Sequence, residues 1–64
     1  HAERLALVRG LRELHERRAR GLEERLEEDA FDDVYDRMTA EYALGLNRWA
    51  AGWAHAAETR IAEP

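Results

Sequence analysis

Two stripes of apolar residues run along the chain, and they do not fall on the same face of one helix. The first stripe consists of Leu5, Leu7, Val8, Leu11, Leu14, Leu22 and Leu26, and the second of Phe31, Val34, Tyr35, Met38, Tyr42, Leu46, Trp49, Trp53, Ala56, Ala57 and Ile61. At about 100° per residue, the second stripe falls on roughly the opposite side from the first. Since a continuous helix would have no single face to bury, the chain must reverse direction between the stripes.

An acidic segment offers a place for that reversal. Aspartates cluster between the stripes, and Asp29 or Asp32 can cap the free N–H groups at the start of a second helix. Further acidic side chains there favour the positive end of the helix dipole. We therefore predict an all-α fold, a two-helix antiparallel hairpin in one domain. It has a helix at about 3–28, an acidic turn at about 29–33 and a helix at about 33–62, with the two stripes facing each other.

The sequence DDVYD, residues 32–36, lies where the turn meets the second helix, and it has the Asp-Asp-x-x-Asp form that isoprenoid synthases use to bind magnesium and diphosphate. Such an enzyme needs a many-helix barrel, a second metal-binding motif and a large apolar pocket. Two helices cannot enclose a prenyl chain, so we interpret the motif as a helix cap in a solvated turn, with a weak incidental cation site as the alternative.

The remaining polar side chains do not form a catalytic set. His15 falls within the leucine stripe, where we expect a partly buried histidine with a hydrogen-bond partner; a pH switch or a ligand contact is the alternative. His55 and Glu58 stand in the reverse order of the Glu-x-x-His di-iron signature, and the set is incomplete. The chain has no serine or cysteine nucleophile. We predict no enzyme, no catalytic residue, no cofactor and no metal site.

The width of both stripes predicts a partner. One hairpin has no third layer, whereas two hairpins packed as a four-helix bundle bury both stripes. Trp49 and Trp53 then form either part of a dimer seam or a stacking wall for a flat apolar ligand. Gly45 and Gly52 lie seven residues apart at the margin of the second stripe, where a partner helix could approach closely. The residues expected at the dimer interface or in contact with a ligand are Leu11, Leu14, Leu22, Leu26, Tyr35, Met38, Tyr42, Leu46, Trp49 and Trp53.

Charge and composition limit which other partners and cellular compartments the sequence predicts. The formal net charge of −4 does not predict a nucleic-acid surface. Cysteine is absent, which fits a reducing compartment. No apolar run approaches the length of a membrane span and no signal peptide is visible, so we expect a cytoplasmic protein without membrane contact. Because the chain starts at His1 without methionine, we expect it to be part of a longer protein.

The segment MTAEYALGLNRWAAGWAHAAETRI resembles the C-terminal region of PadR-like bacterial transcriptional regulators. In that family a helix near the end carries a glycine-leucine pair with a tryptophan about eight residues later. The matching residues here are Glu41, Gly45, Leu46 and Trp53. The preceding arginine- and glutamate-rich helix is similar to the one that comes before it in the family, so the resemblance covers nearly the whole chain.

This resemblance implies a function in assembly. PadR-like regulators are dimers whose N-terminal winged helix-turn-helix binds DNA and whose C-terminal helices pair the subunits; some bind small hydrophobic or aromatic effectors near the interface. DNA would be bound only through a domain absent from this chain. Trp49 and Ala50–Ala51 stand where the family often has an acidic residue, so we expect the packing of this helix to differ from that in the family. The resemblance thus predicts a non-catalytic dimerisation and effector-sensing domain; the alternative is a stand-alone helical protein–protein interaction module.

Overall fold

The computed structural model describes residues 2–63, and these form two α-helices joined by a short turn. Helix α1 spans Ala2–Glu28 and helix α2 spans Val34–Ala62, with no strand among residues 2–63. The helices pack side by side into a rod of 49 × 14 × 13 Å. The predicted all-α, two-helix hairpin is confirmed. The interpretation of His1 concerns a position outside the described residues.

The turn is fixed by contacts on both of its sides. Asp29 ends α1 in the left-handed backbone region (φ 52°), which aspartate tolerates better than most residues. Its N–H donates to the carbonyl oxygens of Arg25 at 3.1 Å and Leu26 at 3.2 Å. Its carboxylate pairs with the guanidinium of Arg37 in α2, and the Arg25 guanidinium lies 5.3 Å from the centre of the Phe31 ring. The two helices are therefore tied together where the chain reverses.

Asp33 is the N-cap of α2, which corrects the expectation that Asp29 or Asp32 takes this role. Asp33 has an extended backbone, and its carboxylate accepts a hydrogen bond of 2.8 Å from the N–H of Asp36. The reason is positional: a capping side chain belongs to the residue immediately before the first helical one, and α2 begins at Val34. Asp29 instead closes α1.

We expect Asp33→Ala to lower the free energy of unfolding by about 1 kcal/mol, because one N–H group at the start of α2 loses its partner. Asp32→Ala is the matched control. It removes the same charge from the same exposed turn but no observed capping bond, and should change stability by only a few tenths of a kcal/mol. Urea unfolding followed by circular dichroism measures the free energy of unfolding of both variants. Equal decreases in that free energy would contradict the capping role of Asp33.

Helix α2 turns a row of mostly small and polar residues toward α1. We call this row the inner seam. Its residues are spaced alternately by three and four, and each is buried or half-buried: Arg37, Ala40, Leu44, Asn47, Ala51, Ala54, Glu58 and Ile61. Ala54 is fully buried, and on α1 Ala19 is also buried. Small side chains at these positions let the two helix backbones approach closely.

The expectation that the two apolar stripes face each other is wrong for the second stripe. Tyr42 is 71% exposed and Trp49 is 70% exposed. Of that stripe, only Phe31 at its start and Ala57 and Ile61 toward its end are partly buried. The physical reason is that α2 can present one face to α1, and that face is the alanine-rich inner seam. The aromatic residues consequently lie on the side of α2 that points away from α1.

Candidate interaction surface

The outward side of α2 carries a continuous row of large apolar side chains, which we call the outer stripe. It consists of Tyr35, Met38, Tyr42, Leu46, Trp49 and Trp53, each more than half exposed. Both tryptophans and both tyrosines of the chain belong to it. A monomeric soluble protein rarely exposes a contiguous apolar patch of this kind, and such patches usually mark a binding surface. The outer stripe is therefore the candidate functional site.

The accessible surface of the hairpin is large for its mass. A folded monomer of 7.4 kDa has an expected accessible surface of about 4,200 Å², whereas this chain exposes 5057 Å². The excess of roughly 850 Å² is close to the ~800 Å² that each partner buries in a protein–protein interface of standard size. The chain thus has as much surplus surface as one stable interface would cover.

Six of the ten residues predicted for the interface form the outer stripe, and the other four lie on α1. Leu14, Leu22 and Leu26 are half-buried, so they already contribute to the packing of the hairpin. Leu11 is 38% exposed, at the edge of that packing. The structure thus brings the six predicted α2 residues together on one open face. It separates them from the half-buried leucines of α1.

The prediction did not include two exposed apolar residues. Leu7 is 75% exposed on α1, and Val34 is 73% exposed at the start of α2. Both belong to the apolar stripes of the sequence, but stripe membership alone does not say which side chains the partner helix covers. A helical wheel of α1 would have marked Leu7, because it falls about 120° from the buried Ala19.

One flank of the hairpin is closed by ion pairs between the helices. Arg9 Nε lies 3.1 Å from Glu58 Oε1, and Arg12 donates both to Glu58 and to Glu16, the latter at 2.9 Å. Arg12 lowers the pKa of the Glu58 carboxyl below its usual range, with a smaller effect from Arg9. The same contacts raise the pKa of Arg12. This flank is polar, so it does not extend the apolar surface.

The lowered pKa of Glu58 predicts an acid dependence of stability. A carboxyl whose folded pKa is depressed stabilises the fold above its unfolded pKa, and that contribution is lost as the pH falls through the folded pKa. We expect the melting temperature to fall between pH 5 and pH 3, and to fall less in Glu58→Gln. The exposed Glu27 gives the control, since Glu27→Gln should keep the full acid dependence. Identical profiles for all three proteins would contradict the role of Glu58.

His15 lies at the interface of the two helices with a defined partner. Its Nδ1 atom is 2.8 Å from Asn47 Oδ1, and Asn47 Nδ2 donates to the carbonyl oxygen of Ala43 at 2.8 Å. The predicted partly buried, hydrogen-bonded histidine is therefore present. Asn47 accounts for its polar contact without a ligand.

Residues 2–63 contain neither a cluster of metal ligands nor a membrane-spanning helix. No three histidine, aspartate or glutamate side chains in this range lie together as metal ligands would. His55, considered above with Glu58, is exposed. Neither α1 nor α2, as described over the same range, is long and apolar enough to cross a membrane.

Comparison of the chain with protein-family models, with curated proteins and with solved structures finds no match. The relation to PadR-like regulators therefore stays a prediction from the sequence. The outer stripe is interpreted from its geometry and chemistry.

Proposed function

We propose that this hairpin is a non-catalytic assembly module that forms a homodimer through the outer stripe. The observation that carries the proposal is the exposure of both tryptophans, 70% for Trp49 and 53% for Trp53, within one apolar row. Aromatic side chains of this size contribute strongly to binding when they are buried in an interface. The surplus surface of the chain supports an interface of standard size.

The position of the outer stripe favours one arrangement of the four helices. A closed square bundle requires each helix to contact its two neighbours through faces about 90° apart. On α2, the inner seam and the outer stripe lie on roughly opposite sides. We therefore propose a dimer in which the two α2 helices form the inner pair and each α1 packs on the outside. This is the form that the predicted four-helix bundle takes in our proposal.

In the biological role that we propose, the dimer joins two subunits of a PadR-like transcriptional regulator. The resemblance of the α2 sequence supports this role, and it places DNA binding in a domain outside this chain. A small hydrophobic or aromatic effector would then bind near the interface. An open recess lined by Trp53, Ala56, Ala57, Arg60 and Ile61 offers it an apolar wall and a cation at the edge of the outer stripe.

The alternative is a stand-alone interaction module whose partner is a different protein. The exposure of Leu7 favours this alternative, because its side chain is 75% exposed on α1, away from the outer stripe. A homodimer formed through α2 alone would leave this side chain in water. A larger partner that covers both helices would bury it.

Sedimentation equilibrium over a wide concentration range, with tryptophan emission recorded on the same samples, tests the proposal. We expect a reversible dimer whose emission shifts to shorter wavelength as the dimer forms, because Trp49 and Trp53 leave water. A chain that stays monomeric with long-wavelength emission up to millimolar concentration would contradict the homodimer and favour the alternative.

A further inference from the structure

One row of side chains on the outward side of α2 is mostly large toward the start of the helix and mostly small toward its end. Positions spaced alternately by three and four carry, in order, Tyr35, Met38, Tyr42, Gly45, Trp49, Gly52, Ala56 and Thr59. Every seventh residue from Tyr35 is aromatic as far as Trp49, and every seventh residue from Gly45 is small as far as Thr59. This is the coiled-coil rhythm, with bulky residues mostly in the first half of the row and small residues mostly in the second half.

The sorting decides how a second copy can pack. In a parallel pair, equivalent positions face each other, so Trp49 would meet Trp49 of the second copy and Gly45 would meet Gly45. Some layers would then be overfilled and others empty, and both conditions are unfavourable in a packed interface. In an antiparallel pair, the aromatic positions of one helix face the small positions of the other, and every layer can fill evenly.

We infer that two copies of this chain pack with their α2 helices antiparallel and with the two-fold axis passing near position 47. This inference rests on the proposed homodimer and specifies its orientation and register. Residues at equal distances on either side of position 47 then face each other across the interface. The resulting layers are Gly45 with Trp49, Tyr42 with Gly52, Met38 with Ala56, and Tyr35 with Thr59. The same symmetry places Leu46 beside Arg48 and Trp53 beside Glu41 at the margin of these layers.

Neighbouring antiparallel registers do not preserve the large-with-small pattern. Moving the axis toward the start of α2 by half a heptad sets Met38 against Trp49, which are both large. Moving it the other way sets Gly45 against Ala56, which are both small. The register centred near position 47 also gives the longest overlap that keeps every layer mixed.

The free hairpin does not need the two outward glycines. A Cβ atom added at Gly45 or Gly52 would meet nothing within 4 Å, although glycine weakens a helix interior relative to alanine. A close approach by the aromatic ring of a second copy explains both positions. Near the axis, Arg48 of each copy is paired with Glu23 of its own chain at 2.9 Å, which offsets the repulsion between the two cations.

Distances between spin labels on the two subunits test orientation and register. The chain has no cysteine, so the single variants Glu41→Cys and His55→Cys each carry one label, and both sites are exposed. With the axis near position 47, the label pairs are separated along the helices by about 18 Å at site 41 and about 24 Å at site 55, from a rise of 1.5 Å per residue. Pulsed electron paramagnetic resonance should therefore give a distance that is longer at site 55 by about 6 Å. A difference of about 27 Å would place the axis half a heptad nearer the start of α2 and overturn the register.

Each other outcome has a defined meaning. A dimer with the same short distance at both sites is parallel, and it overturns this inference while the proposed homodimer stands. A dimer with the longer distance at site 41 has its axis nearer the end of α2, which overturns the register. A chain that sediments as a monomer without labels overturns both this inference and the proposed homodimer.

A steric variant tests the same interface without labels. Gly45→Leu should weaken dimerisation at least a hundredfold, because by symmetry the leucine meets Trp49 in two layers. The hairpin itself should keep its helical content, since the position is open in the single chain. Gly10→Leu is the matched control: it makes the same change at an equally open glycine of α1 and should leave dimerisation unchanged. Equal dimerisation constants for the two variants would overturn the packing of Gly45 against the second copy.

Discussion

Trp49→Ala is expected to convert the proposed dimer into folded monomers. Trp49 is 70% exposed in the single hairpin, so its removal leaves the inner seam intact. In the proposed dimer the residue would occur twice, and truncation of a central interface tryptophan costs about 2 kcal/mol or more. Two copies amount to about 4 kcal/mol, which corresponds to a rise of roughly a thousandfold in the dissociation constant.

Leu7→Ala provides the control for the tryptophan substitution. Leu7 is equally exposed, at 75%, but it lies on α1 away from the outer stripe. Sedimentation equilibrium gives the dissociation constants, and circular dichroism at low concentration reports whether each monomer is still helical. An unchanged dissociation constant for Trp49→Ala would contradict the outer stripe as the interface. An equal weakening of dimerisation by Leu7→Ala would contradict it as well.

Ala54→Leu is expected to separate the two helices. Ala54 is fully buried in the inner seam, and a larger side chain there forces the backbones apart at a cost of about 1–3 kcal/mol. A core of this size rarely supplies more than about 3–5 kcal/mol of stability. The substitution should therefore remove most of the stability of the hairpin and lower its melting temperature strongly.

Ala6→Leu is the matched control for this change, because it adds the same atoms at an exposed position of α1. Thermal melts should be recorded at concentrations where the protein is monomeric, since association stabilises the folded state by mass action. Equal melting temperatures for Ala54→Leu and the wild type would mean that α2 does not present its alanine face to α1.

The hairpin could be predicted from the sequence, but the rotation of α2 could not. The opposite phases of the two stripes required a reversal, and the acidic segment indicated where. Large apolar residues such as Trp49 dominate any measure of hydrophobicity, so they suggested the buried face. Ala40 and Ala54 contribute little to such a measure, yet their small volume lets α1 approach, and this steric property decides which face packs within the chain.

The helix cap and the contacts between the two helices depended on where each helix begins and how the helices align, which a single sequence specifies weakly. Helix ends inferred from patterns shift by one or two residues, and in a turn rich in aspartate that shift moved the cap from Asp32 to Asp33. A partner for His15 was expected, but its identity as Asn47 depends on how the turn aligns the two helices. The outer stripe was found as a set of residues because its spacing is regular, whichever side of the hairpin it occupies.

The length of the rod would determine how far apart two attached segments lie. The start of α1 and the end of α2 share one end of the 49 Å hairpin. In the proposed antiparallel dimer, these ends would point in opposite directions from an axis near the middle of α2. A segment joined before Ala2 in each copy would therefore be held about 45 Å from its counterpart, from the rise per helical residue. Adding one heptad to each helix would lengthen that spacing by about 20 Å, so the hairpin would act as a molecular ruler.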